Sequence, residues 1–128
     1  KAKPHRLLLC ISEACNKERV DEIAPSLSYN TTNHYSETNW DPARIQSLFK
    51  NASGNFIATS SEKGQLSYTI TGLHGFFTTA FITTFNTAIL KNGRINADWN
   101  SIFTQVCIRT KAIANEAGET QNPVWSGN

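Results

Sequence analysis

An α/β fold is what this sequence predicts, with a mostly parallel sheet and helices on both of its faces. Two observations carry the prediction. Short apolar runs, Arg6 to Ser12 and Asn55 to Ser60, read as buried strands, and each stops abruptly in polar residues. Stretches with helical signals and a 3.6-residue apolar spacing separate and follow them, so strands alternate with helices. The 128 residues suffice for one domain with a modest core.

The elements follow in order. Beyond the first strand come Glu13, Ala14, Cys15 and Asn16, then the charged run Lys17 to Glu22. Residues 24–40 are rich in Ser, Thr, Asn and Tyr and lack periodicity. A stretch that long in a compact domain points to a substrate-contacting or self-processing loop. Asp41-Pro42 starts a helix, with Asp as cap and Pro at the first position. Its apolar face is Ile45, Leu48 and Phe49. The second strand ends in Ser60 to Gln65, and Leu66 to Ile70 alternates weakly, as extended chain does. Phe77, Phe81, Phe85 and Ile89, with Ala80 and Ala88, form a helical stripe closed by Lys91-Asn92-Gly93. Its many threonines lower helix propensity, so packing must stabilise it. Asp98 caps a third helix from Trp99, and Gly118 stops it. Asn122 to Trp125 is a last extended segment.

Composition excludes several classes. A net charge of +2, with no dense Lys/Arg cluster, gives no phosphate track for nucleic acid. The longest apolar run is about five residues, against roughly 18 needed to span a bilayer. No signal peptide is visible, and Lys1 is not a natural start, so a processed or truncated chain is expected. Three cysteines, Cys10, Cys15 and Cys107, show no metal spacing and no disulfide framework. Cys10 and Cys107 read as core thiols, and a reducing, cytoplasmic setting is expected. The glycosylation triplets Asn30-Thr31-Thr32 and Asn51-Ala52-Ser53 would be idle there.

Cys15 stands apart. It falls just past a strand end and beside a carboxylate, and the carboxyl ends of strands are where open α/β sheets place their sites. Three segments then resemble the caspase-like peptidases, the caspases and metacaspases. Leu7 to Cys15 looks like the strand that ends in an acidic or amide residue, a small residue and the nucleophile. Ile57 to Tyr68 is similar to the strand and loop that line the substrate pocket. Gly75 to Phe81, Trp99 to Thr110 and Gly118 to Val124 resemble the Gly-x-Phe-Thr helix start, the next helix and the Gln-x-Pro-Val tail. Cys15 is followed by Asn16-Lys17, which departs from the Arg-Gly of caspases and the His-Ser-Gly of metacaspases.

The resemblance implies a three-layer caspase-like fold, of which residues 1–128 form the C-terminal portion. It implies cysteine endopeptidase activity through a Cys15 thioester. A thiol needs a base to take its proton. His5 would sit about 30 Å from Cys15 along an extended strand. His34 falls in the long loop, and His74 precedes Gly75. The base is expected on an accompanying N-terminal fragment of the same precursor, with His34, which could swing toward Cys15, and His74 as the alternatives within the chain. Glu13, two before the nucleophile, is implied as an acidic wall that favours cleavage after Arg or Lys, since a carboxylate binds a guanidinium by charge-assisted bonds. Ser60, Ser61, Glu62 and Tyr68 are expected to line the substrate cleft, with a packing role for Tyr68 equally open. The acyl chemistry needs no metal or cofactor, though calcium activates some relatives. The partner is a protein or peptide substrate, with no nucleic acid and no membrane. The rivals are a non-catalytic caspase-like domain for assembly or regulation, and a flavodoxin-like binding domain. The latter lacks a Gly-rich loop after its first strand.

Overall fold

The computed structural model describes residues 6–13, 16–19, 39–70 and 74–128. Cys15, His5, His34 and nearly all of the long polar loop lie outside the described residues.

Two apolar runs become adjacent parallel strands. β1 (Leu7–Ser12) pairs with β3 (Gly54–Thr59) from Leu7↔Gly54 to Ser12↔Thr59. β5 (Val124–Gly127) lies on the other side of β3 and runs antiparallel. A second, two-stranded sheet pairs β2 (Asn16–Arg19) with β4 (Ser67–Ile70) in parallel. The sheet is thus mixed. The reason lies in the two helices between β4 and β5. α2 (Phe76–Ile89) runs down from the carboxyl ends of the parallel strands, and α3 (Trp99–Glu116) returns. The chain after α3 therefore starts at that same end and can only descend against β3.

Local chemistry sets the helix ends. In α1 (Pro42–Gln46), Pro42 holds the first position and the Asp41 carboxylate accepts from the Ala43 N–H at 3.0 Å. A π-helical turn, Ser47–Asn51, continues it. Asp98 caps α3 by accepting from the Ser101 N–H at 2.8 Å. Gly118 follows α3 at φ +72°, the left-handed position where a side chain would be strained. The threonines of α2 are held by packing: Thr83 and Thr84 are buried, and Thr87 Oγ1 donates to the Thr83 carbonyl at 2.8 Å.

The core lies on one face of the sheet. Phe56 and Ala58 of β3 meet Leu48, Phe77, Ala80, Trp99, Ile102, Phe103 and Val106, with Leu7, Leu9 and Trp125 packed alongside. The alternate residues point the other way. Leu8, Cys10, Ile57 and Val124 are exposed on that second face. Among the described residues, helices cover one face and not the two expected. Cys10 is correspondingly an exposed thiol and not a core one. A five-residue apolar run reveals that a strand is apolar on both sides, but not which side this chain itself covers. Among the described residues, no helix is long and apolar enough to cross a membrane.

Arg44 ties α1 to the far end of α2. Its guanidinium donates to the carbonyls of Ala88 (3.1 Å), Gly93 (3.0 Å) and Ile95 (2.8 Å). The ion pair with Asp41, long at 3.8 Å and partly exposed, adds little. Arg44→Ala is expected to cost about 2 kcal/mol in chemical denaturation, and Arg44→Lys roughly half of that, because a single ammonium cannot span three carbonyls.

Candidate active site

The carboxyl ends of β1 and β3 open into a cleft of about 410 Å³, lined by Ser12 and by residues 59–65. The Ser60 N–H donates to the Ser12 carbonyl at 2.9 Å, which carries the β1–β3 ladder up to the cleft floor. Beyond Ser60 the chain turns out to Lys63-Gly64 and comes back into β4. Cys15 lies three residues past Ser12, outside the described residues.

Hydroxyls shape the floor. Ser60 Oγ and Ser67 Oγ are 2.5 Å apart, and Ser67 Oγ donates to Ser61 Oγ at 3.1 Å. Ser60 and Ser67 are buried, while Ser61 is half-buried and also donates to the Gln65 carbonyl at 3.2 Å. Of the residues expected in the cleft, Ser60, Ser61 and Glu62 line it. Glu62 is exposed on the rim beside Lys63, and its Oε1 accepts from Asn122 Nδ2 at 3.4 Å. Tyr68 sits behind the loop. Its ring is buried against Phe76, with centroids 6.0 Å apart, beside Ala114.

Glu13 follows β1 and turns toward the start of α2. That helix opens at Gly75 with no side-chain cap, so its first amides leave partial positive charge. The Glu13 carboxylate meets this end: Oε2 accepts from Thr78 Oγ1, and Oε1 is buried without a partner among the described residues. A methyl at Gly75 would overlap the Glu13 carboxylate, which would have to shift away from the helix start. His74, just before it, is exposed.

Cys107 is not set up as a nucleophile. Burial pushes the Cys107 thiol above its ordinary range, with Lys111 pulling partly against that, and its S–H points at the Pro123 carbonyl at 3.6 Å. The thiolate is disfavoured, so Cys107 is a poor nucleophile at neutral pH. Among the described residues, no three His, Cys, Asp or Glu side chains gather to hold a metal ion.

Sequence reasoning placed no site role on Gln121, although it named the tail that contains it. Gln121 is almost completely buried behind the cleft loop and bonded at both ends of its amide. A glutamine just before an Asn-Pro pair, in a tail too short to form its own core, was the available signal.

A parallel strand pair opening at its carboxyl ends into a polar cleft, backed by helices, defines an α/β protein of the enzyme-like kind. The Caspase domain family model matches residues 1–128, and the chain belongs to that family of cysteine peptidases. Neither a curated protein nor a solved structure matches it.

Proposed function

We propose that this domain is a cysteine endopeptidase that cleaves after Arg or Lys through a Cys15 thioester. The observation that carries the reading is the cleft at the carboxyl ends of β1 and β3, three residues short of Cys15, in a chain of the caspase domain family. Peptidase chemistry implies a protein substrate. The rim residue Glu62 supports a basic residue before the cut, since its carboxylate offers acceptors to a guanidinium. The general base comes from an accompanying N-terminal fragment. The open sheet face supports such a fragment: Leu8, Cys10, Ile57 and Val124 are exposed together there, as an inner layer of a three-layer fold would be before its second helical layer docks. Free Cys10 and Cys107 suit a reducing, cytoplasmic setting.

The test is covalent labelling of the protein together with its accompanying fragment. An arginyl chloromethyl ketone should modify Cys15 and spare Cys107, whose raised pKa keeps it protonated near pH 7. The aspartyl analogue should react at least about tenfold more slowly, the size of one well-made charge-assisted contact. Equal rates for the two reagents would remove the specificity. An unmodified Cys15 in an intact fold would remove the peptidase.

A further inference from the structure

We infer that Gln121 is a positioning residue for the substrate cleft, one that fixes both ends of the cleft loop from behind. The inference rests on the peptidase reading given above. The Gln121 side chain is about 1 % exposed. Its Nε2 donates to the Ser60 carbonyl at 2.8 Å, and its Oε1 accepts from the Tyr68 N–H at 3.0 Å. Ser60 enters the loop and Tyr68 lies just beyond its end, so one amide spans the whole excursion. The next residue repeats the pattern. The Asn122 carbonyl accepts from the Glu62 N–H at 2.8 Å, and the Asn122 N–H donates to Gln65 Oε1 at 2.9 Å.

These bonds have a consequence for binding. Residues 59–65 supply all of the cleft's lining except Ser12. The loop carries Gly64 at φ +85° and has little apolar anchorage, as Glu62, Lys63, Gly64 and Leu66 are exposed. Its shape is therefore set by its own serine hydroxyl bonds and by the tail behind it. An extended peptide lying along that wall needs the wall already in place, and ordering it at binding would cost affinity. A substrate of one residue meets the loop only at Glu62, whose N–H is held by the Asn122 carbonyl and not by Gln121, so it depends on Gln121 far less. Gln121 touches no substrate and acts through the loop.

The experiment compares an arginyl tetrapeptide with a single-residue arginyl substrate, using the protein together with its accompanying fragment. Gln121→Met keeps the length and removes both bonds. Gln121→Glu keeps the acceptor for Tyr68 and places an oxygen against the Ser60 carbonyl. Each should raise KM for the tetrapeptide about tenfold at little-changed kcat, and leave kcat/KM for the single-residue substrate within about twofold. A role in stability alone would lower the active fraction and reduce kcat for both substrates equally, and that result overturns the inference. Unchanged KM for both overturns it as well. If neither variant folds, amide exchange in the wild type decides. Slow exchange at Glu62 and Tyr68 supports the brace, and exchange as fast as in open chain overturns it. A wild type that cleaves neither substrate overturns the peptidase reading instead, which keeps the two failures apart.

Discussion

Cys15→Ser is expected to lower kcat on an arginyl peptide by at least about 1,000-fold, with KM kept within about threefold. The expectation follows from the proposed role of the group. A serine hydroxyl has the right shape, but it ionises far less readily than a thiol, and a base arranged for a thiol does not deprotonate it efficiently. The cleft itself should be unaffected, because its floor is built from the Ser60, Ser61 and Ser67 hydroxyls and the Gln121 brace, none of which needs the sulfur. Cys10 gives the matching control. It lies five residues earlier on the same chain, and its side chain is exposed on the sheet face away from the helices. Cys10→Ser should keep kcat within about twofold. Steady-state kinetics on the two variants, with equal melting temperatures as the fold check, would decide. Activity surviving in Cys15→Ser would move the nucleophile elsewhere.

Elements whose signal is local were legible in the sequence. α3 was readable from the Asp98 cap, the apolar spacing from Trp99 to Ala114 and the Gly118 stop, and the structure has a helix over Trp99–Glu116. α1 was readable from Asp41-Pro42 for the same reason. What depended on distant partners was not. The direction of β5 follows from the end at which α3 finishes, which no residue in Val124–Gly127 encodes. The exposure of Cys10 follows from which face the helices choose. The burial of Gln121 depends on Ser60 and Tyr68, 61 and 53 residues away in sequence. The packing of Tyr68 against Phe76 is a contact of the same kind. A polar side chain is indifferent to burial until its partners are known, so sequence alone assigns it to the surface.

Trp99→Ala should be the most damaging core substitution, at a cost of about 3–5 kcal/mol. Trp99 opens α3, is about 3 % exposed, and its ring meets Phe49, Phe85 and Phe103 at centroid distances of 5.7, 6.2 and 5.8 Å. Its Nε1–H donates to the buried Leu48 carbonyl at 2.8 Å, so one side chain joins the π-helical turn, α2 and α3. Alanine would leave a void among three aromatic rings and a carbonyl without its donor. Trp99→Phe keeps most of the area and loses the hydrogen bond, at about 1–2 kcal/mol. For a domain stable by roughly 5–15 kcal/mol, the alanine variant should melt on the order of 10–20 °C lower. The loss should stay away from the cleft. From Trp99 to Ala114, which packs under Tyr68 and Phe76, α3 rises about 22 Å. Below its reduced melting temperature the variant should therefore bind peptide with an unchanged KM. A raised KM with normal folding would mean that the aromatic cluster and the cleft are coupled through α3, and that the helix transmits packing from one end of the sheet to the other.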